Sequence, residues 1–395
     1  MRIFRQKLSE RLANANGMDA PSTGIEVPKW KSCNQPLNER ASDMKITTVG
    51  IDLAKEVIQV HAIDEHGKAV VKKAMKRGKV LEYFANLPPC LIGMEACGSA
   101  HHWYRQLSQY GHTVKLMAPQ YVKPYVKTNK NDAADAEAIC EAVGRPNMRF
   151  VAPKNTEQQT VLSQHAVRQG FVKARTAQGN QIRGLLAEFG IVIKRGFAPL
   201  YERLPEIVED GENGLTGLFR QLLTRLLAHL KELDRQVGEI EQQIQLWHRG
   251  NEASLRLAER RGIGPLSATA IVATLGNGQQ YKNGRQFAAA IGIVPRQHSS
   301  GGKPTLLGIS KHGDKYLRTL LIHGARSVLR AVQMQATPST NREDLWLRGL
   351  LARRHHNVVA VALAAKTARI VWALLAKGDK FASDHQSTKP NLAAA

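Results

Sequence analysis

Four carboxylates stand out by their settings. Asp52 closes the segment TTVGID, Glu95 closes CLIGME, and Asp132 and Asp135 lie three apart in NDAADAEAI. That spacing puts the last two on one face of a helix. Cleaving a phosphodiester calls for Mg²⁺, which takes hard oxygen ligands. Two such ions about 3.5–4 Å apart can hold both the entering and the leaving oxygen. Acids at two strand ends plus a helix-borne pair have the composition of such a cage. Singly, each has a plainer reading: Asp132 as a helix cap beside Asn131, Asp52 as a turn cap, Glu95 as a surface acid. Against these stands the fact that GID and GME end strands whose residues should be buried.

Charge narrows the partner. Lys and Arg number 56 against 33 Asp and Glu, a net charge of +23. An excess of this size repels itself unless a polyanion neutralises it, so nucleic acid comes first. No run approaches the roughly 18 apolar residues of a membrane span, and the N-terminus has no apolar stretch of the secretory kind. Cys33, Cys90, Cys97 and Cys140 lack metal spacing and read as reduced thiols of a cytosolic protein.

The elements that must position the acids follow from periodicity. Residues 1–43 are polar and turn-rich and read as a disordered or loosely packed extension. Over 44–153, KITTVGIDL, VIQVHAID and KAVVKKAM read as a strand meander. Helices near 79–87 and 100–110 then alternate with the strands CLIGME and HTVKLM, before the helix bearing Asp132 and Asp135. This predicts a mixed sheet covered by helices, hence an α/β domain followed by an all-α part.

Residues 154–250 are helical. Phe219, Leu223, Leu226, Leu230, Leu233, Val237, Ile240, Ile244 and Trp247 alternate by four and three. This seam predicts a coiled coil, between chains or back against the long polar helix 156–188. In 251–378, LRLAERRGIGPLSATAIVATL reads as helix–GxG–helix, a helix-hairpin-helix that grips nucleic-acid backbone without reading sequence. Arg260, Arg261, Gly262 and Gly264 are its candidate contacts. A Gly/Ser/Lys-rich loop over 295–315 and helices near 314–334 and 356–377 follow, with a flexible tail over 379–395.

VGIDLAK, GMEACGSAHHW and KNDAADAEAI resemble, in order and spacing, the three acidic motifs of the DEDD transposase family, which includes the Piv-type invertases. RGIGPLSATAIVATLG, FAAAIGIVPRQHSSGGK and LLGISKHGDKYLRTLLIHGAR resemble its second conserved domain. The resemblance covers about 45–375 and is most similar to the subgroup with terminal inverted repeats. It implies a RuvC-like (RNase H-like) domain holding Mg²⁺ through Asp52, Glu95, Asp132 and Asp135, a coiled-coil segment, and a C-terminal transposase domain with a nucleophilic serine. It further implies DNA as donor and target and a structured bridge RNA encoded by the element. The place of action would be the bacterial cytosol or nucleoid, as a homo-oligomer, dimer or tetramer.

The family's serine falls on Ser300, with Ser299 as its competitor. Its hydroxyl would have to lose its proton and the phosphate charge be offset. Gly301 and Gly302 would admit DNA backbone, and Arg296, Lys303 and Lys311 would balance charge. Two other readings stand beside this one: a RuvC-like nuclease that uses water, and a catalytically dead nucleic-acid scaffold. His101 and His102 read as helix-start residues that touch substrate, and His355 and His356 as part of a basic face.

Overall fold

The computed structural model describes residues 45–127, 131–335 and 341–382. The expected extension over 1–43, Cys33 and all but the first residues of the expected tail lie outside the described residues.

The sheet carries the predicted meander. β1 (Thr48–Leu53), β2 (Val57–Ile63) and β3 (Ala69–Lys76) are antiparallel neighbours. After α1 (Val80–Ala85), β4 (Leu91–Glu95) returns beside β1 in parallel. α2 (Ala100–Ser108) leads to β5 (Thr113–Met117), parallel to β4. A short α3 (Pro119–Val122) precedes α4 (Asp132–Val143), and β6 (Phe150–Val151) closes the edge, giving the order β3-β2-β1-β4-β5-β6. Alternation decides the faces. Val49, Ile51, Ile92 and Met94 join Phe84, Trp103 and Leu107 in one core beneath α1 and α2. The opposite face takes α4, whose Ile139, Ala142 and Val143 pack with Met117 and Val122.

The helical part begins with α5 (Thr156–Ala187), started by a capping box between Asn155 and Gln158. α6 (Ala198–Glu209) and α7 (Gly217–Gly250) fold back along it. The apolar seam is met within the chain, antiparallel to α5: Trp247 Nε1 donates to Glu157 at 2.7 Å and His229 bonds Gln178 at 2.8 Å. Arg168 pairs with Glu241 and Arg175 with Asp234 between them. Leu223, Leu230, Leu233, Val237 and Ile244 of the seam are buried.

The third part is α8 (Glu252–Ala258), α9 (Pro265–Leu275), α10 (Gly284–Ala290), α11 (Lys315–Met334), α12 (Arg342–Leu351) and α13 (His356–Ala376) around one core, after the hairpin β7 (Pro295–Ser300) and β8 (Lys303–Ile309). Here three expectations need correction. The segment 295–315 is largely a two-stranded hairpin rather than a loop. Gly301 and Gly302, with φ of 56° and 74°, form its two-residue turn, as a tight hairpin demands. Its root is clamped by glycine, because a Cβ on Gly292 would lie 2.2 Å from His312 O and one on Gly313 1.7 Å from Ala290 O. Second, α13 is long and apolar enough to cross a membrane by length and composition, although Lys366 and Arg369 interrupt it. Its Val359, Leu363, Ala364, Ala368 and Val371 are core residues of the helical part.

The third correction concerns Arg260, which is 3% exposed. Its guanidinium donates to both oxygens of Glu343, at 2.8 and 2.6 Å, so it is spent inside the protein rather than turned to a phosphate. Burial pulls the Glu343 carboxyl upward, but Arg260 and Lys366 together hold the group below its ordinary value. Breaking a buried pair strands the partner charge, at a cost of about 3–5 kcal/mol, and the longer contact of Glu343 with Lys366 at 3.4 Å places the loss toward the lower end of that range. Arg260→Met is therefore expected to lower unfolding stability by an amount of that order, read from the urea midpoint. A wild-type midpoint would return Arg260 to the protein's outer face.

Candidate active site

The acidic end is set by how closely α4 lies on the sheet. Gly50 and Gly93 are each two residues before an acid, on the same face as Asp52 and Glu95. A Cβ on Gly50 would stand 2.2 Å from Ala136 O and 2.4 Å from Cys140 N; one on Gly93 would stand 2.7 Å from Val143 Cβ. Helix backbone thus rests on strand backbone. α4 runs against β1, so its first turn overlies the carboxyl end of that strand. Asn131 caps it by accepting from Ala134 N at 2.7 Å. Capping therefore falls to Asn131, and Asp132 is the first residue of the helix itself.

Asp52, Asp132 and Asp135 come together, with a ligand oxygen from each lying within 4.8 Å of the others. Asp52 and Asp135 are half-buried and Asp132 is exposed. Three hard oxygen donors at that spacing fit a divalent cation, and their mutual repulsion at a helix start favours one. Glu95 is outside the trio. It follows Met94, the register partner of Ile51, and so stands at the end of the next strand beside Asp52. Cys97, absent from the expected site, lies close by: burial, then the charges of Glu95 and Asp52, push its thiol upward. Nothing about a lone cysteine in the sequence marks that position.

Ser300 lies at the turn of the β7–β8 hairpin and is exposed, as are Arg296, Lys303 and Lys311. Exposure runs along nearly the whole hairpin, including Leu306 and Leu307. Ser299 accepts from Gln297 Nε2 at 2.8 Å. At the helix-hairpin-helix, Gly262 has a φ of 83° and its added Cβ would meet Gly324 O at 2.9 Å, so this glycine also seats the turn against α11. Gly264 caps α9 and opens into a cleft with Ser267 and His323. Arg261 is partly exposed and donates to the buried Asp344 at 2.7 Å. Cys90, Cys97 and Cys140 are free thiols.

Two family profiles match the chain. One described as "Transposase IS116/IS110/IS902 family" matches residues 254–339, which hold the helix-hairpin-helix and Ser300. Another, for transposases of the DEDD, IS110 type, matches 49–191, which hold all four acids. A "probable family 20 transposase" of Pseudomonas aeruginosa is 51% identical over 335 residues, 85% of this chain and 98% of its own. A transposase for insertion sequence element IS1111A of Coxiella burnetii is 44% identical, covering 87% of this chain and 93% of its own. A transposase for insertion sequence element IS1328 of Yersinia enterocolitica is 43% identical, over 85% and 98%.

The backbone contact at Gly50 yields a test of the acidic end. Gly50→Ala must push α4 off the sheet and separate Asp132 and Asp135 from Asp52. Moving the support of metal ligands weakens binding by about 10–100-fold. Titration calorimetry with Mg²⁺ or Mn²⁺ is expected to show a loss of that size, while the neighbouring exposed Gly98→Ala stays near wild type.

Proposed function

The chain belongs to the IS116/IS110/IS902 family of insertion-sequence transposases, and from that premise we propose that it cuts and rejoins DNA through a covalent link to Ser300. The observation that carries the reading is the gathering of Asp52, Asp132 and Asp135 at the carboxyl edge of the sheet, with Glu95 on the next strand. These residues would hold Mg²⁺. A bound divalent ion supplies Lewis-acid stabilisation of charge on a phosphate and makes a nearby hydroxyl more acidic.

Every other part of the reaction belongs to the chain. Ser300 Oγ loses its proton and forms a bond to phosphorus, while one P–O bond of the DNA strand breaks and leaves a free hydroxyl. Attack by a second DNA hydroxyl then breaks the Oγ–P bond, restores the serine and joins the new strand. Arg296, Lys303 and Lys311 would offset phosphate charge around the turn. Arg261, Gly262 and Gly264 would hold backbone farther along, where Gly264, Leu266 and Ser267 at the start of α9 line the cleft.

The exposed hairpin supports assembly, because an arm that packs on little of its own chain suits a site completed by a second copy. Phe189, Val192 and Leu218, exposed at the end of the α5–α7 hairpin, support self-association as a dimer or tetramer. A structured bridge RNA as guide is part of the same reading, as are the inverted-repeat subgroup and action in the bacterial cytosol or nucleoid. The net charge of +23 supports a nucleic-acid partner.

Ser300→Ala is expected to abolish the trapped protein–DNA adduct while DNA binding survives, and Asp132→Ala to abolish all strand cleavage. Denaturing gels with end-labelled DNA read both. Cleavage that persists in Ser300→Ala, with no adduct in the wild type, would give the chemistry to water. Guidance by RNA is checked by ribonuclease treatment: recombination should fall to background, and an undiminished rate removes the guide.

A further inference from the structure

Between the carboxyl ends of β4 and β5 and the C-terminal helices lies a cleft of about 390 Å³. Its lining includes Ala96, which directly follows Glu95, so it opens beside the acidic end. His101, Lys154, Tyr281 and Asp314 bring the polar groups, and the rest of the wall is mainly apolar.

The hydrogen-bond directions inside it do not close. The Lys154 backbone N–H donates to His101 Nδ1 at 3.2 Å, so a neutral ring carries its proton on Nε2. Burial, then the charges of Lys154 and Arg105, takes His101 down to about 4, which keeps the ring neutral. That Nε2–H lies 3.2 Å from Lys154 Nζ, whose ammonium form burial disfavours and which in that form is also a donor. Two donors thus converge with no acceptor between them, an arrangement that costs free energy until one arrives. Among the described residues no carboxylate is in ion-pairing reach of Lys154. Asp314, the acid that bears on it, spends Oδ1 on the cap of α11, accepting from Leu317 N at 3.0 Å. The pair is held in place, since Arg105, one turn along α2 from His101, donates to Lys154 O at 2.8 Å.

We propose that His101 Nε2 and Lys154 Nζ form a seat for a backbone phosphate of the bound nucleic acid, next to the acidic end of the sheet. A phosphate oxygen is an acceptor for both donors and a counter-charge for the ammonium. Apolar walls around it strengthen both interactions. The seat rests on the reading of the chain as a nucleic-acid enzyme and adds positioning residues that the four acids and Ser300 do not include.

Lys154→Met keeps the apolar stem and removes the charge. In the full-length protein, binding to a duplex DNA and to a structured RNA is measured across a salt series, and thermal unfolding is followed without nucleic acid. The slope of log K against log salt is expected to become shallower by about 0.9 for duplex, or about 0.7 for a single strand, the share of one phosphate. The probe that shows the change identifies which nucleic acid is seated. Thermal unfolding without nucleic acid should stay at or above wild type, and Lys154→Arg should restore the slope. An unchanged slope with both probes overturns the seat while leaving the nucleic-acid reading intact. A lowered unfolding midpoint with an unchanged slope makes Lys154 an internal strut. If the wild type binds neither probe, the nucleic-acid reading itself falls, and the seat with it.

Discussion

Where α4 crosses β1 and β4, hydrogen atoms stand in place of side chains, and at β1 backbone meets backbone. Gly50 admits the carbonyl of Ala136 and the amide of Cys140; Gly93 admits the side chain of Val143. The acids at the sheet edge depend on this. Asp52 belongs to a strand, Asp132 and Asp135 to a helix from a different part of the chain, and only the depth at which the helix sits brings their oxygens within reach of one another. Interiors are packed too tightly to absorb one extra methyl at such a crossing without a shift. The acids themselves repel, so the packing beneath them works against that repulsion until a cation offsets it.

The rest of the molecule is joined to this layer by polar ties that leave few alternatives. His165 of α5 is 1% exposed and completes a directional chain. Tyr316 Oη donates to its Nδ1 at 2.9 Å, its Nε2–H donates to Thr269 at 3.0 Å, and Thr269 donates onward to Pro265 O at 2.7 Å. Burial takes His165 down to about 4, which keeps the ring neutral and the directions fixed. Three helices are registered by that chain, and the ion pairs of α5 with α7 continue it along the arm. The contrast with His101 is instructive. One buried histidine has a donor on one side and an acceptor on the other; the second has donors on both.

Much of this was legible in the sequence where burial imposes a period. Val49 and Ile51 alternate with Gly50 and Asp52 because the two faces of β1 meet different helices. The seam from Leu223 to Ile244 is regular because α5 runs antiparallel beside α7 over most of its length. The hairpin was not legible for the converse reason: PRQHSS and KPTLLGI have solvent on both sides, so no alternation marks them as strands. Arg260 was misread because its partner, Glu343, lies 83 residues away, and a basic cluster by itself looks like surface. The glycines before the two acids did carry a signal, small residues two positions before each, but their meaning needs the helix that lands on them.

The clamped root of the β7–β8 hairpin has a mechanical consequence. Five steps of strand separate Pro295 from Ser300, which at about 3.3 Å per residue makes a lever roughly 17 Å long. Gly292 and Gly313 lock its base against His312 and Ala290, so its bearing is set there and not at the tip. A tilt of about 3° at the base swings the serine hydroxyl by about 1 Å, a displacement that can cost on the order of a hundredfold in rate when a nucleophile must be aimed at phosphorus. In the proposed role of Ser300, aim would therefore be decided at the base of the hairpin, by two glycines a full strand away from the hydroxyl.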